Sequence, residues 1–379
     1  MGPFILLVER TPADAWLSLL AIAFLARAII TRNWDFTRHL WVRFAFLFMA
    51  VCIVSAAISD LKSYSLGETV AWFRFPVFAM ATAFWLATDR RLLHAMLILT
   101  GIGLLVMCAI LFAELLIEGQ KGGRLTWPYD DLVPGGYLAK VGMPVFVVMV
   151  ALSLSRNKVV AASAILLTLV NLTMSIFAGE RINLLLRVCS AGLAVLVWRF
   201  NKTRTTGLVL LAMAAVALAF MVSPDTGRRL TVNFYQSLTI GFESDYFRVL
   251  GGGIAVFEQA MAIGIGPGNY RLLSEELLAG LPHLRAENHP HNFYIQMLAE
   301  TGIVGALAGT AFLWAIIWKC FTARLRDPGN VVSATAFIVP FAVFWPIATT
   351  ADFFGQWNNI FMWSGVALAL AAAHSSGKN

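Results

Sequence analysis

The chain has 379 residues, of which 59% are hydrophobic and only 13% charged, with a mean hydropathy of +0.76. Soluble domains carry roughly 25% charged residues, so this composition excludes a water-soluble globular protein and makes the bilayer its solvent. The net charge of +7 is dispersed through short connections and forms no stripe, which argues against a nucleic-acid partner and for membrane orientation.

In chain order, apolar runs without period-two alternation predict helices, not barrel strands, near 15–31, 40–58, 70–87, 93–117, 138–155, 159–177, 182–198, 206–222, 296–318, 331–349 and 357–373. The expected fold is an all-α polytopic membrane protein of about 11–12 transmembrane helices. It divides into a bundle over 1–222 (about 8 spans), a long loop with amphipathic helices over 223–290, and a second bundle over 291–379 (about 3 spans). No basic stretch precedes the apolar residues 4–8, so the first span is expected to be retained and not cleaved as a signal peptide. Cys52, Cys108, Cys189 and Cys320 fall in apolar runs and read as small core residues.

Alternate connections differ in charge. One set carries Arg32, Arg38, Arg90, Arg91, Arg156, Lys158, Arg199, Lys202, Arg204, Lys319, Arg324 and Arg326, whereas 59–69, 178–180 and 350–357 hold only Lys62. Basic connections stay in the cytoplasm, so the 118–137 loop and the 223–290 segment are expected on the extracytoplasmic face.

Ionisable side chains at span ends are costly unless paired or hydrated, which makes each a candidate site. Arg74, Lys140 and Arg181 fall at the extracytoplasmic ends of their spans, and Arg124 and Arg248 fall in the two outer loops. Three cations at one face suit an anionic headgroup, and the planar guanidinium fork matches a phosphate. Snorkelling to the interface is the alternative for Arg74 and Lys140, and an ordinary surface charge for Arg181 and Arg248.

His283, His289 and His291 crowd into nine positions ahead of the next span. Pro290 favours a helical first turn, Asn288 or His289 can cap it, and His291 with Asn292 is expected on that turn. A metal site with Glu287 lacks a recognised ligand spacing, whereas a neutral imidazole suits general-base catalysis; plain capping is the third reading.

His291-Asn292, nine residues, then Gly302-Ile303-Val304-Gly305 resembles the signature of bacterial O-antigen ligases. The stretch Gly264-Ile265-Gly266-Pro267-Gly268-Asn269-Tyr270 resembles the glycine-rich element that these ligases and related polymerases carry upstream. Arg181 and Arg248 fall, in order and rough spacing, where the family has two essential arginines, although the turn here reads Gly-Glu-Arg-Ile-Asn where many relatives have Ser-Arg-Gly. The resemblance implies a GT-C-type fold in the bacterial inner membrane with a periplasmic active site. It implies a metal-independent, inverting glycosyltransferase without cofactor, moving a glycan from undecaprenyl pyrophosphate to a lipid A-core sugar hydroxyl. His291 is then the general base, and Arg181 and Arg248 hold the pyrophosphate. Arg74, Lys140, Arg124, Asn292 and His289 are further substrate-binding candidates, and Gly302 and Gly305 let helices pack closely. A polymerase using the same donor is the alternative, and a lipid-linked glycan transporter is the non-enzyme reading. The 223–290 segment is expected to be the lid and substrate platform.

Overall fold

A computed structural model describes residues 2–131, 133–198 and 201–375; Arg199, counted above on the cytoplasmic side, lies outside the described residues. The regular elements among them are helical. Four long helices come first: α1 (Arg10–Thr31), α2 (Leu40–Ile58), α3 (Lys62–Leu86) and α4 (Arg90–Ile117). A bent pair, Pro134–Val141 with α5 (Met143–Leu152), precedes α6 (Lys158–Phe177), α7 (Arg181–Val197) and α8 (Lys202–Val222). The short helices α9 (Pro224–Leu230), α10 (Asp245–Gln259) and α11 (Tyr270–Leu277) lead to α12 (Phe293–Arg326) and α13 (Gln356–Ser375).

Seven of these are long and apolar enough to cross a bilayer, or eight if the bent pair is one span, which corrects the eleven or twelve expected. The missing spans have local causes. The pair around Gly142 bends by 59°, next to a π turn over Tyr137–Val141 and to Pro144, which has no N–H to continue the ladder. α7 has only 17 residues. The apolar run at 331–349 is split into Val331–Thr335 and Ile338–Val343, with Pro340 and Pro346 in it. α13 opens with Gln356, Asn358 and Asn359, which dilute its apolarity.

α13 is buried on almost every face from Asn359 to Ala373, packed against α3 and α12. A helix apolar all round belongs inside a bundle, and its Ala, Gly and Ser residues allow neighbours to approach closely. Aromatic rings fill the space beside it. Phe48 and Trp363 both meet Trp72, whose indole N–H donates to the Phe353 carbonyl at 2.8 Å. α8 is the opposite case, burying only Ala219, as a lipid-facing helix would. Three cysteines are buried as expected, while Cys189 is exposed.

Contacts divide the molecule into two ends. His39 packs on His374 with ring centroids 4.8 Å apart, and Arg90 donates to the Ser375 carbonyl, so basic connections gather at one end. At the other end, Ser65 donates to the Pro267 carbonyl at 2.8 Å, drawing the 223–290 segment onto the 59–69 connection. That segment is helical in short pieces, tied internally by Arg285 to Asp245 at 3.1 Å and to Glu287 at 2.7 Å.

α12 is broken at Gly302, which adopts φ 63°, ψ −170°. The ladder groups released there are taken up by 261–266: Ile303 N–H donates to the Met261 carbonyl at 2.8 Å, and Gly266 N–H to the Glu300 carbonyl at 2.9 Å. Ser55 adds a bond to the Glu300 carbonyl at 2.9 Å. Gly302 thus seats the glycine-rich element against a backbone break, which differs from the close helix packing expected of it. Gly305 faces Thr301 of its own turn. A Cβ at Gly302 would lie 2.3 Å from the Ala262 carbonyl carbon. Gly302→Ala is therefore expected to cost about 2–4 kcal/mol, read as a lower thermal midpoint of the purified protein; an unchanged midpoint would contradict this role.

Candidate functional site

The start of α12 is shaped by Asn292. Its side-chain oxygen accepts from the N–H groups of Tyr294 at 3.0 Å and Ile295 at 3.2 Å, and its amide donates to the Pro346 carbonyl at 2.7 Å. Asn292 is therefore the cap itself, engaged on both sides of its amide. His291 lies outside the helix, not on its first turn, at φ 56°, a left-handed conformation uncommon outside glycine. Its carbonyl accepts from Thr350 N–H at 2.8 Å. The His289 ring stands edge-on to the His291 ring, centroids 4.4 Å apart. Burial, reinforced by His291, pushes His289 down to about 4, so it stays neutral across the ordinary pH range, and its buried Nε2 has no protein partner.

A polar network fixes this turn from behind. Gln296 donates to Asp352 at 2.7 Å and accepts from Phe353 N–H at 2.7 Å, and Asp352 pairs with Arg271. Buried Glu300 accepts from the N–H groups of Tyr270, at 3.0 Å, and Gly268. The glycine-rich element, α12 and the 350–354 connection are held as one unit.

The second half of the site is cationic. Gly179, at φ 71°, lets the α6–α7 turn approach the 118–133 loop so closely that a Cβ there would lie 2.2 Å from the Gly123 carbonyl oxygen. The loop is anchored by buried Glu114, which accepts from Thr126 N–H at 2.7 Å, its hydroxyl at 2.9 Å, and Trp127 N–H at 2.8 Å. α9 joins from the third side. Thr226 donates to Gln120 at 2.8 Å, and Arg229 Nε donates to the Gly179 carbonyl at 3.0 Å. Arg124, Arg181 and Arg229 consequently share one neighbourhood. Burial, then Arg124 and Arg181, lowers Arg229 to about 10, which leaves it charged at neutral pH. The Nε atoms of Arg124 and Arg181 are buried without a partner.

Glu180 is the carboxylate that meets these cations. It accepts from Gly135 N–H at 3.0 Å and from Asn183, and burial pushes it up to about 7 against the pull of Lys140 and Arg124. A cleft of about 110 Å³ is lined by Lys140, Glu180 and Asn183, which adjoin the arginine cluster, and by Phe293, Thr349 and Thr350, which adjoin the histidine turn; the arginines and histidines themselves do not line it. Thr350 is the residue whose backbone holds the histidine turn. Lys140 also donates to Asn358.

Other predicted residues are engaged elsewhere. Arg74 is paired with Asp14 at 2.8 Å and donates to the Ala71 carbonyl. Arg248 donates to the carbonyls of His283, at 3.0 Å, and Pro282, at 3.2 Å, so it grips the loop leading to His289. Glu287 is paired with Arg285 at 2.7 Å, and its charge also acts on His289. Arg229, Thr350 and Glu114 escape the sequence reading. Arg229 was visible only as half of an Arg-Arg pair in a seven-residue helix.

Residues 141–310 match a family model described as O-antigen ligase, a family of membrane enzymes with ligase or polymerase activity on lipid-linked glycans. The matched range contains Arg181, Arg229, Arg248, His291, Gly302 and Gly305. A comparison with curated proteins gives no match.

Proposed function

We propose that this chain, a member of the O-antigen ligase family through residues 141–310, is an inverting GT-C-type glycosyltransferase acting at the periplasmic face of the bacterial inner membrane. It moves a glycan from undecaprenyl pyrophosphate to a sugar hydroxyl of lipid A core. The observation that supports this reading is a cleft lined by Lys140 and Glu180, the residue before Arg181, and by Phe293 and Thr350, which adjoin the histidine turn.

His291 takes the proton of the acceptor hydroxyl as its oxygen attacks the anomeric carbon. The bond from that carbon to the phosphate oxygen breaks, and the pyrophosphate leaves with the electron pair. Arg181, with Lys140, holds the departing charge, the task that a divalent metal performs elsewhere. His289, neutral and edge-on, fixes the His291 ring. Arg248 acts at one remove, through the 282–285 loop that its guanidinium binds.

The reading is tested with purified protein in lipid vesicles, a pyrophosphate-linked glycan and lipid A core. Transfer with inversion at the anomeric carbon, undiminished by a chelator, is expected. Transfer only onto another glycan chain would make the protein a polymerase. Loss in chelator that is restored by zinc would remove the arginine-based mechanism.

A further inference from the structure

Three guanidiniums act on one another from three separate elements: Arg124 from the loop after α4, Arg181 from the start of α7 and Arg229 from α9. Their approach is built into the backbone, because Gly179 meets Gly123, Gly123 lies against Arg229, and Arg229 donates to the Gly179 carbonyl. Two of the three have a buried Nε without a protein partner. Buried N–H donors are almost always satisfied, so a cluster of them asks for an acceptor that the chain does not supply.

Charge leads to the same ligand. Glu180 faces Arg124, Arg229 and Lys140. One carboxylate against four cations leaves a surplus that a diphosphate matches and a single carboxylate does not. Arg228, next in sequence, is exposed.

We propose that Arg229 and Arg124 join Arg181 in one subsite for a diphosphate group, and that Glu180 is an internal counter-charge opposing the occupant. The subsite rests on the reading of the donor as a pyrophosphate-linked glycan. It makes α9 part of the binding machinery and assigns a role to the one acidic residue of the α6–α7 turn. Because burial holds Glu180 near neutrality, a proton taken up there removes the repulsion as the diphosphate arrives. The groups facing Glu180 are Lys140 from the π turn, Arg124 from the loop, Arg229 from α9 and Asn183 from α7.

The probe is inorganic pyrophosphate, titrated calorimetrically against the full-length protein in nanodiscs. Arg229→Gln is expected to weaken binding about 10-fold or more, while Arg228→Gln, with the same loss of formal charge, changes it less than about twofold. Arg229→Lys, which keeps the charge and loses the fork, should fall between them, and it covers the case in which Arg229→Gln disturbs the turn. Glu180→Gln is expected to tighten binding about threefold or more at neutral pH, and the wild-type disadvantage relative to this variant should shrink as pH falls from about 8 to 6. Equal effects of Arg228→Gln and Arg229→Gln, or a Glu180→Gln variant that binds no better than wild type, would overturn the subsite. If pyrophosphate binding depends on Arg229 but no glycan is transferred, the enzyme reading fails and the subsite stands. If transfer proceeds and Arg229→Gln binds normally, only the subsite fails.

Discussion

Replacing His291 by Ala is expected to lower the transfer rate by about 10²–10⁴-fold, the range for removing a positioned general base. The magnitude follows from how much structure is spent on this one side chain. A left-handed backbone at His291 would relax if nothing opposed it, yet the residue is held between the Asn292 cap and the Thr350 N–H. The imidazole is therefore carried on fixed backbone, with the neutral His289 ring against it. His291→Gln, which restores hydrogen-bonding capacity without a base, should be nearly as inactive as His291→Ala. His289→Gln should lose only several-fold, since its role is orientation. Transfer by His291→Ala at more than about a tenth of the wild-type rate would mean that another group takes the proton.

Arg181→Gln is expected to lower transfer by about 10²–10³-fold, the scale for losing one donor to a developing oxyanion. Here ground-state binding should weaken as well, because a diphosphate is charged before and after the bond breaks. Arg181→Lys should recover only part of the loss, since an ammonium offers a point charge where the fork gives two parallel bonds. An Arg181→Gln variant with wild-type transfer would show that the guanidinium cluster serves something other than the donor.

Several of the residues gathered here stand out in the sequence because their signals are local. The histidine turn announces itself by density and by the nine-residue spacing from His291-Asn292 to Gly302, and Arg181 by being half of a charged pair in a two-span turn. Arg229 was not legible, since its relation to Arg124 and Arg181 exists only after three chain segments converge across Gly123 and Gly179. Gly302 shows a different limit. Two glycines three apart in an apolar run look the same whether they bring helices together or break one, and only φ separates the cases. The span count differed where an apolar run is broken or diluted: residues 331–349 split into two short helices and α13 opens on polar residues, breaks to which a run of hydropathy is blind. Arg74 shows the same blindness for charge, because its partner Asp14 is sixty residues away in sequence.

The most direct test separates binding from chemistry in one preparation. Donor affinity and single-turnover transfer are measured for wild type, His291→Ala and Arg181→Gln reconstituted in the same lipid. His291→Ala is predicted to bind donor within about twofold of wild type while its transfer step collapses, and Arg181→Gln to lose both. A His291→Ala variant whose loss lies wholly in donor binding, or an Arg181→Gln variant that binds and transfers normally, would contradict a reaction carried out between these two halves of the site.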